Sequence, residues 1–242
     1  MSDMAAAPKA RGRRIAWLDQ ARGVALVAMI LYHGAFDLSY LGFVGWPVGN
    51  GRGWSLFAVA IAASFIAISG MSLTLAARGG LDMGAILRRL AKLALAAAAV
   101  TIGTGLAMPY PVYFGILHAL AVFSVLALPF LRAPTWLLAV SIVFVLAAPA
   151  FLTHEIFQPA IFYPLGLAPE TRASFDYEPI FPWFAAMLAG ILLGRVTGDR
   201  LPPSTGPGGP LAAMGRHSLV IYLLHQPVLM GALTLVAMAR PV

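Results

Sequence analysis

Long apolar stretches recur along the chain, and short runs of polar, Pro or Gly residues separate them. A helix needs about 20 mainly apolar residues to cross a bilayer. Seven stretches approach that length, which predicts an all-α, polytopic transmembrane helix bundle of about seven spans. The predicted spans are residues 20–43, 55–77, 87–108, 113–131, 135–152, 180–196 and 215–238.

Two connections between the predicted spans are longer than the others. Residues 153–179 are rich in Pro and contain four of the chain's nine acidic residues, which predicts a structured mouth or lid. Residues 197–214 are rich in Pro and Gly, which is typical of a linker. The basic segment 1–14 is too polar for a cleavable signal peptide, so we expect it to be a tail before a single transmembrane domain over 15–242.

Composition excludes a soluble globular domain of ordinary make-up. The chain is 60% hydrophobic and 10% charged, and its mean hydropathy is +0.86. It contains no cysteine, which excludes disulfides, thiolate nucleophiles and thiolate-bound metals. The class that remains is a multi-pass membrane protein.

The net charge of +7 reflects Lys and Arg residues at the ends of apolar stretches. These basic residues do not form a separate soluble domain of the kind that binds nucleic acid. On the side of the N-terminus the spans are flanked by 12 basic residues, against 3 on the other side, with Arg22 left out as part of the first span. The positive-inside rule therefore predicts a cytoplasmic N-terminus, and an odd number of spans places the 153–179 connection and the C-terminus outside.

The first predicted span carries four ionisable residues on one face. At about 100° per residue, Arg22, His33 and Asp37 lie roughly 300°, 320° and 0° around the helix from Asp19. All four side chains therefore fall within about 60° of one another. Ionisable residues inside a span are energetically expensive, so this row predicts a functional site that faces the bundle interior.

His33 and Asp37 are the candidate catalytic residues. Asp37 follows His33 by one helical turn, within side-chain reach. A carboxylate that orients an imidazole and stabilises its protonated form is a common arrangement for a general base. The structural alternative is that the two side chains only satisfy each other's hydrogen bonds inside the bundle.

Arg22 is a candidate anion-binding residue near the inner end of the same span. It follows Asp19 by three residues, so a simple salt bridge is the alternative interpretation. Arg22 precedes His33 by eleven residues, or about 16 Å along a helix. A long anionic donor could therefore bind its phosphates at Arg22 and place its reactive end near His33.

Other polar residues could line an acceptor site. His118 lies near the outer end of the fourth predicted span, and His225 and Gln226 lie inside the seventh; the alternative is that they are hydrogen-bond partners between helices. Asn50 and Arg52 belong to an outer Gly-rich segment that is equally typical of a plain turn. Three histidines with Asp37 could be proposed as a zinc site, but only His33 and Asp37 have a ligand-like spacing, and no metal is expected.

Four motifs, which together cover nearly the whole chain, resemble bacterial members of the heparan-alpha-glucosaminide N-acetyltransferase catalytic-domain family. The motifs are Arg14-x4-Asp19-x2-Arg22-Gly23-x5-Met29-x3-His33-x3-Asp37, Gly115-Ile116-Leu117-His118, Phe181-Pro182-Trp183-Phe184-x3-Leu188-x-Gly190-x3-Gly194-Arg195 and Gly215-Arg216-His217-Ser218-Leu219-x2-Tyr222-Leu223-x-His225-Gln226-Pro227. The first motif is also similar to the opening helix of the wider transmembrane acyltransferase superfamily. In that superfamily an Arg-to-His spacing of eleven places a cytoplasmic acyl donor against an essential histidine.

The resemblance implies an enzyme that takes an acetyl or other acyl group from cytoplasmic coenzyme A and delivers it to a sugar amine or hydroxyl on the far side. Arg14 and Arg22 would then bind the phosphates of acetyl-CoA or another acyl-CoA, and His33 with Asp37 would be catalytic. The lysosomal branch carries its proposed catalytic histidine in the loop after the first span, before a Trp-Asn-Gly. Residues 43–54 contain no histidine, so His33 must supply this chemistry here.

The leading hypothesis is an acyl-CoA-dependent transmembrane acyltransferase of the bacterial inner membrane. Its expected partners are acyl-CoA, a glycan or other small acceptor, the lipid bilayer and, in a homodimer, a second copy of the chain; nucleic acid is not among them. The alternative is a proton-coupled transporter or a non-catalytic membrane module, with His33 and Asp37 as a proton relay. Transporters of that kind usually contain broken helices in paired halves, which the sequence does not show.

Overall fold

A computed structural model describes residues 16–198 and 208–240, and the part of the chain that it describes is helical. Arg14 lies outside the described residues, as does the rest of the predicted basic tail. The α-helices are α1 (Ala16–Tyr40), α2 (Arg52–Ala77), α3 (Met83–Ala107), α4 (Ile116–Leu126), α5 (Thr135–Leu152), α6 (Ile180–Thr197), α7 (Gly209–Arg216) and α8 (Ser218–Met238). Short 3₁₀ turns cover Pro129–Leu131, Glu155–Phe157 and Ala160–Leu165.

Six of the described helices are long and apolar enough to cross a membrane: α1, α2, α3, α5, α6 and α8. This confirms the predicted all-α bundle and makes the chain a multi-pass membrane protein. The predicted span 113–131 is wrong in its length, because α4 has only 11 residues, or about 16 Å of helix. The residues before Ile116 are non-helical and contain Pro109 and Pro111, whose rings cannot continue a helix.

Close contact between α2 and α6 forms the centre of the bundle. A methyl group added at Gly190 would collide with the backbone of Ala67, and one added at Gly70 would collide with the backbone of Met187. Gly194 packs against Met71 and Thr74 in the same groove. This confirms the helix-packing role predicted for the GxxxG pair at Gly190 and Gly194, since small residues let helix backbones approach inside a membrane. The main apolar core, which includes Ile66, Phe123, Leu138 and Met187, surrounds this contact.

Helix α1 is enclosed by α2, α7 and α8. Gly23 meets the backbone of Leu211 and Gly215 meets the backbone of Asp19, so α7 lies directly against the first turns of α1. The predicted span 215–238 is divided here, because the helix is interrupted at His217 between α7 and α8. The polar face of α1 therefore faces other helices instead of lipid.

The two ends of the bundle differ in chemistry. At one end, Arg78 donates to the Gly194 carbonyl (3.1 Å) and Arg195 donates to the carbonyls of Phe130 and Ala133 (2.6 Å each). We call this the basic end. The opposite end holds the connections 41–51, 108–115 and 153–179, and we call it the loop end. Which end faces the cytoplasm stays a prediction of the positive-inside rule.

The glycine contact between α2 and α6 is open to a direct test. The change Gly190→Ala should lower the free energy of unfolding by about 1–3 kcal/mol, because the added methyl overpacks a backbone contact. Gly103→Ala on α3 is the matched control, since nothing lies within 4 Å of its added methyl. Thermal unfolding in detergent, followed by circular dichroism, should show a lower Tm for Gly190→Ala alone; equal Tm values would contradict the packing role.

Candidate functional site

The polar row on α1 faces the interior of the bundle. Asp37 is 0% exposed, and Asp19, Arg22 and His33 are partly exposed. This geometry agrees with the interior orientation that the sequence predicts. Each of these side chains can therefore interact with groups on neighbouring helices.

Asp37 is bound by Gln226 and not by His33. The Gln226 side-chain amide donates to Asp37 Oδ1 at 2.7 Å, and Asp37 Oδ2 is buried without a hydrogen-bond partner among the described residues. The predicted His33–Asp37 hydrogen bond is therefore wrong. The i, i+4 spacing permits that contact, but α8 supplies a closer donor from the opposite side.

His33 lies instead against His225. The two imidazole rings are 5.0 Å apart between centroids, and Tyr222 lies 5.6 Å from His225 on the same helix. His225 Nδ1 lies 2.6 Å from the Tyr222 carbonyl oxygen, an acceptor, so this nitrogen carries the proton. Its Nε2 is then an unprotonated acceptor, and it is buried without a partner among the described residues. Such a nitrogen can accept a proton from a bound molecule.

Two arginines lie near each other toward the basic end. Arg22 donates to Asp19 Oδ1 at 2.7 Å and also to the Ser72 hydroxyl, and Arg89 donates to Ser69 at 2.6 Å. The predicted salt bridge between Arg22 and Asp19 is thus present. The positive charges of Arg22 and Arg89 are close enough to act on each other. A single paired carboxylate does not balance two guanidinium groups, so an anion is favoured beside them.

A cavity of about 310 Å³ lies beside these arginines. Its polar lining comprises Arg22, Arg89, Ser69, Ser218 and the Tyr222 side chain. A second cavity of about 400 Å³ shares Arg89 with the first and is also lined by Arg88 and Lys92. The two cavities adjoin at Arg89, Leu93 and Leu219, and together they extend from the basic end to Tyr222; we call them the cation-lined path. His33 does not line this path and is reached from it through Tyr222 and His225.

The acidic connection enters the site from the loop end. Asp176 Oδ2 accepts hydrogen bonds from the Ile116 amide at 3.0 Å and from the Tyr222 hydroxyl at 3.3 Å. Gly115 makes this approach possible, because a side chain there would overlap the Asp176 carboxylate. Burial, together with the charge and hydrogen bonding of Asp176, holds the pKa of the adjacent Glu178 well above its usual range.

The sequence reasoning missed Arg89, Asp176 and Tyr222 as site residues. In the sequence, Arg89 is one of the 12 basic residues that flank the spans, and Asp176 is one of the four acidic residues of 153–179. Tyr222 belongs to the fourth family motif, and the sequence predicts no role for it. The sequence signals that could have found two of them are that Arg89 lies inside an apolar helix and that Tyr222 lies one helical turn before His225.

The other predicted site residues lie apart from this centre. His118 Nδ1 accepts from the Gly115 amide at 3.3 Å, and its Nε2 is 3.1 Å from Thr101, so both nitrogens are used at the start of α4. Asn50 and Arg52 are exposed at the loop end, in the turn before α2 and at its first residue. Gln226 is the exception: its side-chain amide binds Asp37 in the centre, and its Oε1 is buried without a partner within the described part of the chain.

Comparison with known proteins identifies the family. The family model described as heparan-alpha-glucosaminide N-acetyltransferase, catalytic, matches residues 14–227. The chain belongs to this family. Its members are acetyltransferases, so the protein is a membrane protein of a transferase family. No curated protein and no solved structure matches the chain.

The family match spans the whole candidate site, from the polar face of α1 to the His225 and Gln226 turn of α8. Within the described ranges, no three His, Asp or Glu side chains are grouped so that they could hold a metal ion. In particular, His118 is held by Thr101 and Gly115 and does not join His33 and His225.

The raised pKa of Glu178 predicts a pH-dependent stability. In the unfolded chain Glu178 ionises near its ordinary value of 4.5, whereas the folded protein keeps it protonated to higher pH. The neutral Glu178 side chain therefore makes its full contribution to the free energy of unfolding below pH 4.5. This contribution is lost as the pH rises through the pKa that Glu178 has in the folded protein. Glu178→Gln, which mimics the neutral acid, should melt with a smaller loss of Tm between pH 5 and 9 than the unchanged protein. An identical pH dependence in both would contradict a neutral Glu178.

Proposed function

We propose that the protein is an acyl-CoA-dependent transmembrane acyltransferase of the bacterial inner membrane. It moves an acetyl or other acyl group from cytoplasmic acyl-CoA to a sugar amine or hydroxyl at the outer face. The observation that carries the proposal is the cation-lined path from the basic end to Tyr222. The Tyr222 ring lies 5.6 Å from His225, and His33 lies 5.0 Å beyond His225. Family membership supports acetyl transfer as the reaction class.

The donor enters through the basic end. Arg88, Arg89 and Lys92 line the outer part of the path, and Arg22 lines the inner part with Arg89. Guanidinium groups suit phosphate because they donate two parallel hydrogen bonds. The apolar lining that includes Leu93, Leu117 and Leu120 suits the pantetheine arm, which then directs the thioester toward Tyr222. Arg14 of the basic tail adds a further cation for the phosphates.

His33 takes the proton of the acceptor amine or hydroxyl while that nitrogen or oxygen attacks the thioester carbonyl. The new carbon–nitrogen or carbon–oxygen bond forms, the carbon–sulfur bond breaks, and the leaving thiolate recovers the proton from the imidazolium. Both substrates meet in one site, so direct transfer requires no nucleophile on the protein. The chain has no cysteine that could carry an acyl group.

The acceptor approaches from the loop end. Asn50 and Arg52 contact it near the surface, and His225 and Gln226 orient its reactive group deeper in the bundle. The unpartnered Nε2 of His225 and Oε1 of Gln226 support this assignment, since a bound hydroxyl or amine would donate to them. Asp37 positions Gln226 through their hydrogen bond.

Loss of His33 should abolish transfer. In proteoliposomes supplied with [14C]acetyl-CoA and D-glucosamine, we expect His33→Ala to lower kcat by at least about 100-fold, because the base is removed. His154→Ala in the exposed 153–179 connection is the control and should retain activity. Normal turnover by a folded His33→Ala protein would remove His33 from the mechanism. D-glucose as acceptor tests transfer to a hydroxyl.

The donor path predicts a separate binding result. Arg22→Ala and Arg89→Ala should each weaken CoA binding by roughly tenfold, because each removes a charge-assisted hydrogen bond to phosphate. The measurement is the rise in Tm with CoA concentration. Arg132→Ala, which changes an exposed arginine of the basic end, should bind CoA normally. Unchanged CoA stabilisation in both test variants would place the donor elsewhere.

A further inference from the structure

The reaction centre needs a carboxylate close to its imidazole pair, and Asp37 does not provide a hydrogen bond to it. A proton taken by His33 leaves a positive charge in a site of low dielectric constant, where an unbalanced charge is costly. Asp37 Oδ1 is already bound by Gln226. A second carboxylate close to the pair, on another element, would add to the balance of this charge.

Asp176 meets this requirement through a continuous set of contacts. Its Oδ2 accepts from the Tyr222 hydroxyl at 3.3 Å, the Tyr222 ring lies 5.6 Å from His225, and His225 lies 5.0 Å from His33. Its charge also acts directly on His33. Asp176 thus approaches the imidazole pair from the side of the 153–179 connection, opposite the donor path.

Hydrogen bonds and the space left by Gly115 hold Asp176 in this position. The Ile116 amide at the start of α4 donates to the same carboxylate oxygen at 3.0 Å, and only a glycine at position 115 leaves space for it. The Glu178 amide donates to the Phe114 carbonyl at 3.0 Å, and Ser174 donates to the Pro111 carbonyl at 3.1 Å. These bonds fasten the acidic connection to the segment before α4. The Asp176 carboxylate is therefore held in one position, unlike a freely moving carboxylate at the protein surface.

We propose that Asp176 is the positioning carboxylate of the acyl-transfer centre. It holds the Tyr222 hydroxyl at the inner end of the donor path, and it stabilises the positive charge that develops on the His33 and His225 pair during transfer. This inference rests on the proposed function. Asp176 binds Ile116 and Tyr222 of the donor path without lining it, so it acts through Tyr222 and the two imidazoles.

The titratable groups around the imidazole pair define the test. Tyr32 of α1 contacts His33, Tyr222 of α8 contacts His225, and the charge of Asp176 acts on His33. The other titratable groups are one step further away, because Asp37 binds Gln226, Glu178 acts on Tyr222, and His118 of α4 is acted on by Asp176. The comparison is therefore between Asp176→Asn and Asp37→Asn, each of which removes one carboxylate charge while keeping the size of the side chain. Glu170→Gln, an exposed carboxyl of the same connection, is the matched control.

The experiment measures release of the CoA thiol from acetyl-CoA in the presence of D-glucosamine, with the full chain in proteoliposomes, between pH 5 and 9. Asp176→Asn should lower kcat by at least about tenfold and move the acid limb of the pH–rate profile to lower pH, because the protonated imidazole loses its counter-charge. The KM for acetyl-CoA should stay within about twofold, since the donor cations are untouched. Glu170→Gln should match the unchanged protein.

An unshifted profile in Asp176→Asn overturns the inference, as does a shift produced by Asp37→Asn alone. If Asp176→Asn does not fold, Tyr222→Phe removes the same hydrogen bond and keeps the ring. It should lower kcat with the same small change in KM, and a normal kcat would overturn the inference. If His33→Ala loses activity while Asp176→Asn remains normal, this inference is wrong and the proposed function stands. If the unchanged protein releases no thiol in response to the acceptor, the proposed function is wrong as well.

Discussion

Ionisable groups within a lipid bilayer must find their partners inside the protein, and this constraint organises the bundle. Arg22 is bound by Asp19 and by Ser72 of α2, Asp37 is bound by Gln226 of α8, and Arg89 of α3 is bound by Ser69 of α2. Except for the Arg22–Asp19 pair within α1, each bond joins a polar group of one helix to a polar group of another. Because these side chains would be costly in lipid, α1 is held among its neighbours with its polar face inward.

Small residues provide the close approach that these bonds require. Glycines on α1, α2, α6 and α7 meet the backbones of facing helices, so the helices pack without intervening side chains. The cavity beside Arg22 and Arg89 is lined by residues of α1, α2, α3, α4 and α8. Gly23 and Gly70 directly follow the lining residues Arg22 and Ser69, so close packing and the polar cavity lie side by side.

Tyr222 lies at the junction of two chemically different regions. On one side it lines the cation-lined path from the basic end, and on the other its hydroxyl donates to Asp176 of the acidic connection. The proposed donor carries phosphates and suits the cationic side. The Asp176 carboxylate on the other side suits the development of positive charge during proton transfer. The two regions meet at Tyr222, whose ring contacts His225, and this is where we propose that donor and acceptor come together.

The sequence by itself determined the all-α class, the approximate spans and the interior polar face of α1, because hydropathy and helical spacing follow from local residue order. It also marked the helix-packing glycines and, by resemblance, the family. Apart from the local Arg22–Asp19 pair, only the tertiary structure decided which partner each polar residue has. The four-residue spacing predicted a contact between His33 and Asp37. In the structure, Gln226 of α8 binds Asp37, and His225 of α8 lies against His33. Asp176 of the acidic connection binds Tyr222 beside them. Those partners are between 46 and 192 residues apart in the chain, so no local pattern records their contact, and packing alone brings them together.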